Sequence, residues 1–323
     1  MLVSLKHTAK LLKEQDNFLL LMHQSPDGDT IGACYGLAYV LQAMGKNVRT
    51  LCSDELPKKY EFLYRDFVQS KEVRSRFTVS LDIADTKLLG RYEQTYAGKI
   101  ALCIDHHISN TLYAENTLLD AGAAAVCEIA YAAAKLLDIQ IPSKSALCFY
   151  TGIATDTGCF KFGNVTPQTH ILAAEIMEKY PNDYAAVNHL LFDVKSAVRI
   201  KLETVLLENM EFYSGGRCSV TWVTSEDIDR LGGECELDGL SAVALQPQGT
   251  EVGILIRQKG NSEIFKVSMR STGNIDVAST CKKFGGGGHK NAAGATVSLP
   301  LGEVKKKFAL EADRLIREHL SAN

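Results

Sequence analysis

The order of apolar and polar segments in the first half of the chain predicts strands alternating with helices. Phe18 to Met22 is a short, continuous apolar run, typical of a strand buried on both faces. A turn follows, and Ile31 to Met44 then has the composition of a buried helix that ends at Gly45. We predict further strands at Val48 to Leu51, Phe77 to Leu81 and Ile100 to Ile104. The expected structure is a mainly parallel sheet flanked by helices.

Other segments of this half have helical character. They are Leu5 to Leu12, the alanine-rich stretch Ala121 to Leu137, and a helix opened by Thr166 and Pro167. A mainly apolar segment, Ser145 to Thr155, follows Pro142 and leads into Asp156.

The second half of the chain has a different pattern. Asp183 to Glu211 carries heptad-like apolar positions and predicts a helical connector. Strands are predicted at Cys218 to Val223, Glu251 to Arg257 and Glu263 to Met269, a short helix at Ile275 to Lys283, and a closing amphipathic helix at Leu301 to Leu320. We therefore predict an α/β domain at residues 1–190, a connector at 191–213, and a smaller α/β domain with a mixed sheet at 214–323.

Composition narrows the class of protein. The chain has 323 residues, 46% hydrophobic and 23% charged, with a net charge of -3. The fractions of hydrophobic and charged residues exclude a disordered chain and a membrane protein. The net charge shows no strong positive excess of the kind that holds duplex nucleic acid. The nine cysteines include no Cys-x-x-Cys pair, and no signal-peptide core opens the chain, so we expect reduced thiols in the cytoplasm.

Potential metal ligands follow three of the predicted strands. His23 follows the first strand, Asp82 ends another, and Asp105-His106-His107 ends a third. Because open α/β sheets bind ligands outside the carboxyl ends of their strands, we expect these side chains to meet at one edge. Two adjacent histidines after a buried strand have little packing rationale, which favours a metal site.

Further acidic residues have both a functional and a structural interpretation. The spacing His23-x-x-x-Asp27-x-Asp29 suits Mn²⁺ or Mg²⁺, but Pro-Asp-Gly-Asp is also a common turn and Asp29 is a candidate N-cap. Asp85 is more simply a helix cap than a ligand. Asp156, between two threonines, is either a ligand or a turn residue.

A run of four glycines, Gly285 to Gly288, precedes His289 and Lys290. Without Cβ atoms, successive backbone amides can curl around an anionic oxygen. Arg270 and Ser271, at the end of a predicted strand, would add a phosphate clamp and a hydroxyl donor. A flexible linker is the alternative interpretation of the glycines.

Together these motifs resemble the DHH/DHHA1 phosphoesterases over nearly the whole chain, and within them the nano-RNase and pAp-phosphatase branch. The resemblance implies two manganese ions, with Mg²⁺ as the alternative, between a DHH domain and a mobile DHHA1 domain. It assigns His23 and Asp27 to one ion, Asp29, His106 and Asp156 to the other, and Asp82 as the bridge. His107 would lie near the scissile phosphate, and Asp105 would orient its neighbours. The substrate's phosphate and terminal nucleotide would be held by Arg270, Ser271, Gly286, Gly287, Gly288 and His289.

The implied activity is hydrolysis of short oligoribonucleotides, of linear dinucleotides such as pApA to mononucleotides, or of 3′-phosphoadenosine 5′-phosphate to AMP. A cyclic di-AMP phosphodiesterase shares this chemistry. A manganese inorganic pyrophosphatase shares the acid-rich half but not the glycine run, and a non-catalytic nucleotide sensor would not need the complete ligand set. No membrane partner is expected, and whether the chain forms a homodimer is left open.

Overall fold

The computed structural model describes residues 1–71, 76–232, 239–260 and 262–322. The chain divides into two compact units, Met1–Val194 and Lys195–Asn323. The strands of the first unit are β1 Phe18–Leu21, β2 Val48–Leu51, β3 Phe77–Leu81, β4 Leu102–Asp105 and β5 Asn116–Leu119. Its helices are α1 Leu5–Glu14, α2 Gly28–Ala43, α3 Glu61–Tyr64, α4 Glu93–Tyr96, α5 Val126–Ala134, α6 Ser143–Asp156, α7 Pro167–Lys179 and α8 Tyr184–Asn188.

The first unit is built on a five-stranded parallel sheet in the order β2-β1-β3-β4-β5. The chain adds β2 on one side of β1 and β3 on the other, so the strand order reverses at β1. In such sheets the crevice outside the carboxyl ends of the strands, at the point of reversal, is where ligands bind. The topology therefore directs the loops after β1 and β3 to the candidate site.

Strand β1 is buried on both faces, which explains its uninterrupted apolar sequence. Phe18 and Leu20 belong to the larger apolar cluster, which includes residues of α2, α5 and α6. Leu19 and Leu21 point to the opposite face and belong to a smaller cluster. The sheet thus lies between two apolar layers.

Glycines allow α2 and α6 to pack closely. A Cβ on Gly32 would lie 2.5 Å from the carbonyl oxygen of Cys148, and one on Gly36 would lie 2.5 Å from the Phe149 ring. On α6, a Cβ on Gly152 would overlap the thiol of Cys127 and lie 2.8 Å from Asp29 Oδ1. Close packing without these methyl groups brings the end of α6 towards the start of α2.

The second unit has a six-stranded mixed sheet in the order β10-β11-β9-β8-β7-β6, in which β7 and β8 are parallel. Its strands are β6 Glu211–Tyr213, β7 Cys218–Val223, β8 Val252–Gln258, β9 Ile264–Ser271, β10 Gly287–His289 and β11 Ala292–Ser298. Its helices are α9 Ala197–Glu208, α10 Ser225–Arg230, α11 Val277–Lys283 and α12 Leu301–Ala322. Residues of α12 and α11 form one apolar cluster with the sheet, and Leu202 and Leu206 of α9 form another.

The structure confirms the predicted α/β architecture and the predicted limits of β2, β3 and β7. Thr166 caps α7 and Pro167 begins it, as predicted. The helix predicted from Ala121 is wrong at its start, because Ala125 has extended backbone and α5 begins at Val126. The predicted connector is divided into α8, a π-helical turn at His189–Asp193, and α9. The sequence pattern missed β5, β6, β10 and β11.

Two further expectations concern the cysteines and membrane spans. Eight cysteines are free thiols in the described part of the chain. The ninth, Cys235, lies outside the described residues. Within the described ranges, no helix combines the length and apolar character needed to cross a membrane.

Candidate active site

Asp27 and Asp29 stand at the start of α2, immediately after the loop that leaves β1. Asp27 is the N-cap residue, and its Oδ1 accepts hydrogen bonds from the amides of Asp29 at 3.0 Å and Thr30 at 3.1 Å. The alternative interpretation of Asp29 as the N-cap is therefore wrong, because Asp27 has that role. Asp29 is instead buried, and its carboxylate accepts from the amides of Val126 at 2.5 Å and Cys127 at 2.9 Å. The amino terminus of α5 thus holds the Asp29 carboxylate in place.

Asp82 lies at the centre of the site, directly after β3. Its Oδ2 is 3.5 Å from His23 Nε2, and its Oδ1 is 3.7 Å from His106 Nε2 and 3.5 Å from His107 Nδ1. The residue is buried and has a φ of +63°, which few non-glycine residues adopt. Among the described residues, Asp82 Oδ1 is a buried oxygen with no hydrogen-bond partner. A buried carboxylate oxygen of this kind fits a metal ligand.

Backbone carbonyls fix the orientation of two imidazoles. His23 Nδ1 donates to the carbonyl oxygen of Gln24 at 2.7 Å, and His106 Nδ1 donates to that of Ala123 at 3.0 Å. In each ring Nε2 is then the nitrogen near the carboxylates, at 3.7 Å from Asp27 for His23 and 3.6 Å from Asp156 for His106. Metal-binding histidines are typically held in this way.

Asp105 orients the adjacent histidines, as predicted. Its Oδ1 accepts from the backbone amide of His106 at 2.9 Å and from His107 Nδ1 at 2.8 Å. Its Oδ2 accepts from the side-chain amide of Asn110 at 2.5 Å. The hydrogen bond to Asp105 is the largest influence on the pKa of His107, and it raises that pKa. His107 is therefore held in one orientation by a fully buried carboxylate.

The site has an excess of buried negative charge. Burial is the main cause that raises the pKa of Asp29 well above its usual range, and the carboxylates of Asp82 and Asp156 raise it further. Burial, together with Asp82 and Asp27, raises the pKa of Asp156 to about 6. Burial lowers the pKa of His23, but the nearby carboxylates of Asp27 and Asp82 outweigh it and raise the value to about 11. Divalent cations would relieve this repulsion between carboxylates.

The predicted ligands meet in three overlapping groups, each with donor atoms within 4.8 Å of one another. The groups are His23, Asp27 and Asp82; Asp29, His106 and Asp156; and Asp82, His106 and His107. Nitrogen and carboxylate oxygen donors of this kind suit Mn²⁺ and Mg²⁺. Asp85 is not in these groups, and its side chain accepts from the amide of Lys87 at 2.9 Å as an N-cap. The preference for Asp82 as ligand and Asp85 as cap agrees with this placement.

Two amides of the glycine run are bonded within the protein, and the substrate-binding role of Gly286, Gly287 and Gly288 stays a prediction. The amides of Gly285 and Gly286 donate to the carbonyls of Lys282 at 3.1 Å and Cys281 at 2.9 Å, at the end of α11. Gly287 and Gly288 belong to β10, which pairs with β11. A Cβ on Gly286 would overlap the carbonyl of Gly294, so this glycine is needed for close approach between strands.

The other predicted substrate residues lie near the end of β9 and in β10. Arg270 is half-buried, and burial lowers the pKa of its guanidinium. Ser271 is buried, and its hydroxyl donates to the carbonyl of Ile275 at 2.7 Å. His289 is exposed at the end of β10. Arg270 and His289 are thus more open to a ligand than Ser271, and their roles stay predictions.

Comparison with known proteins decides the family. The DHH family N-terminal domain matches residues 17–153, and the DHHA1 domain matches residues 236–318. A relative from Thermus thermophilus, named bifunctional oligoribonuclease and PAP phosphatase NrnA, is 30% identical over 97% of this chain and 93% of its own. The chain belongs to the DHH/DHHA1 phosphoesterase family.

Other comparisons agree with this membership. The Bacillus subtilis protein of the same name is 26% identical over 94% of this chain and 96% of its own. The structure of an exopolyphosphatase-related protein from Bacteroides fragilis has the same fold, with a TM-score of 0.85, 22% identity, and 97% of each chain covered. RecJ from Thermus thermophilus is similar with a TM-score of 0.55 and 15% identity, over 96% of this chain and 55% of that one. As a DHH/DHHA1 member of the NrnA-like branch, the chain is a phosphoric ester hydrolase.

Sequence reasoning missed residues that hydrogen-bond to the site carboxylates without being candidate metal ligands themselves. Asn110 holds Asp105, and the amides of Val126 and Cys127 hold Asp29. The position of Asn110, three residues after His107, was the available signal, because short polar residues after a strand commonly bond to nearby groups. The contacts of Asp29 cross about a hundred residues of sequence and left no local signal.

Proposed function

We propose that the chain is a manganese-dependent phosphoesterase. It hydrolyses short oligoribonucleotides and linear dinucleotides such as pApA to mononucleotides, and 3′-phosphoadenosine 5′-phosphate to AMP. The observation that carries this proposal is the sharing of Asp82 between two ligand groups, one with His23 and Asp27, the other with His106 and His107. A buried carboxylate common to two neighbouring groups suits a pair of ions held close together.

His23 and Asp27, which are grouped with Asp82, hold one ion. Asp29, His106 and Asp156 hold the other, and Asp82 lies between the two sets because it is also grouped with His106. His107, the remaining member of that group, is left to face the substrate. When bound, the two ions would lower the pKa of a water molecule and neutralise charge on the phosphate. The RecJ structure of similar fold contains Mn²⁺, which makes Mn²⁺ the first ion to test.

The protein side chains then position the substrate. His107, held by Asp105 at 2.8 Å, presents its other ring nitrogen, which in the imidazolium form donates a hydrogen bond to a phosphate oxygen. Arg270 offers a planar pair of donors for a second phosphate, and His289 adds a further donor. The relatives named oligoribonuclease and PAP phosphatase support this substrate class. The cytoplasmic location stays a prediction, and whether the chain forms a homodimer stays open.

A direct comparison of substrates tests the proposal. Initial rates are measured with Mn²⁺, with Mg²⁺ and with EDTA for pApA, a longer oligoribonucleotide, cyclic di-AMP, 3′-phosphoadenosine 5′-phosphate and pyrophosphate. We expect pApA and 3′-phosphoadenosine 5′-phosphate to be hydrolysed fastest in Mn²⁺, with no reaction in EDTA. Faster hydrolysis of cyclic di-AMP would reassign the substrate, and hydrolysis of pyrophosphate alone would refute the proposal.

A further inference from the structure

A groove opens on the second unit, remote in sequence from the metal ligands. It has a volume of about 810 Å³, and its lining includes Arg257, Lys259, Lys266, Thr296, Asp229 and Ile228. This volume is within the range of about 300–1,000 Å³ typical of small-molecule sites. One wall is fixed, because Gln258 accepts from the amide of Ser225 at 3.0 Å and donates to the carbonyl of Ser262 at 3.1 Å.

The cationic side chains of the groove differ in ion pairing from other cationic side chains of the second unit. Lys283 and Lys305 are each 2.7 Å from a glutamate, and Arg314 is 2.5 Å from Glu318. In the described part of the chain, Arg257, Lys259 and Lys266 form no such ion pairs. Three cations and one exposed carboxylate, that of Asp229, leave the groove positively charged.

Strand register relates this groove to the predicted substrate residues. Lys266 pairs with Arg257 on one side and with Thr296 on the other, so the three side chains share a face of the sheet. Because side chains alternate along a strand, Arg270, four residues after Lys266, is on that same face. Arg270 pairs with Ala292, which pairs with His289. The groove and the predicted residues thus lie on one face, with Lys266 and Arg270 about 13 Å apart along β9.

We propose that this groove is a second nucleotide-binding site, which recognises phosphate and ribose without a metal ion. Arg257 supplies a planar fork for phosphate oxygens, and Lys266 supplies a second positive charge. Asp229 accepts hydrogen bonds from ribose hydroxyls, and the half-buried Ile228 offers an apolar surface to the base. The bound nucleotide is either a free mononucleotide or one residue of an oligonucleotide whose end lies near Arg270. The second case rests on the proposed function.

Binding in the absence of metal tests the site. Calorimetric titrations of the full chain in EDTA use AMP, a linear adenylate dinucleotide, an adenylate pentamer and inorganic phosphate. The double variant Arg257→Gln/Lys266→Gln removes two charges from the groove. We expect at least about tenfold weaker binding of AMP or of the pentamer, because a hydrogen bond to a charged group contributes about that factor. For the pentamer, the slope of log K against log salt should fall by about 1.4.

The variant Lys306→Gln/Lys307→Gln is the matched control, since it removes two exposed charges of α12 outside the groove. Weaker AMP binding identifies a site for free nucleotide, and an effect confined to the pentamer identifies an extension of the substrate site. No loss in the groove variant at an unchanged unfolding midpoint, an equal loss in the control, or binding of inorganic phosphate as tight as that of AMP would overturn the proposal. The variant Asp82→Asn separates a failure of the proposed hydrolysis from a failure of the proposed groove site. It should lose hydrolysis but keep nucleotide binding in the groove.

Discussion

Replacing Asp82 by asparagine is the sharpest test of a shared ligand. The change keeps the shape of the side chain but removes a charge that lies 3.5–3.7 Å from three imidazoles. Asparagine also tolerates the positive φ of +63° at this position, whereas alanine would add backbone strain of about 1–2 kcal/mol. The variant therefore changes the site without disturbing the strand end.

The expected size of the effect follows from ligand linkage. An ion present at 100 times its Kd stabilises the folded state by about 2.7 kcal/mol. For the unit Met1–Val194, this corresponds to a rise in Tm of about 5–11 °C. If the loss of the carboxylate weakens the binding of each ion about 100-fold, the stabilisation contributed by each ion falls to about 0.4 kcal/mol, or about 1 °C. Hydrolysis of pApA should fall by about 1,000-fold or more.

Thermal unfolding with and without Mn²⁺ measures the shift, and initial rates measure hydrolysis. Asp85→Asn is the matched control, because Asp85 is in the same loop but caps a helix, a role that asparagine also fulfils. The control should keep both the Mn²⁺-dependent shift and the activity. If Asp82→Asn also keeps both, Asp82 does not bridge two ions and the reasoning is wrong.

Two other predictions test the support of the site. Asp105→Asn should lower kcat by about 10–100-fold while leaving the Mn²⁺-dependent Tm shift intact, since Asp105 positions His107; loss of the shift would instead make Asp105 a ligand. Gly152→Ala should lower Tm by about 2–12 °C, because the added methyl meets Cys127 and Asp29 and costs about 1–3 kcal/mol. Gly163→Ala, where a Cβ meets nothing within 4 Å, is its control and should leave Tm nearly unchanged.

The order and type of most elements of the first unit could be predicted from local sequence. Strands such as Phe18–Leu21 are buried on both faces, so their apolar runs are visible without any tertiary information. Strands β10 and β11 could not be predicted in this way. Glycine and alanine are poor strand formers, and Gly287–His289 is a strand because it pairs with Ala292–Ser298.

The candidate site shows the same division between local and tertiary information. Sequence by itself determined which residue types end the strands, because a histidine or carboxylate directly after an apolar run is a local pattern. Only the tertiary structure decided their partners: the approach of α6 to α2 brings in Asp156, and α5 holds Asp29 across distant segments. It also decided that the amides of Gly285 and Gly286 donate hydrogen bonds to carbonyls at the end of α11. Side-chain identity is set by the sequence, whereas hydrogen-bond partners depend on contacts between segments far apart in the chain.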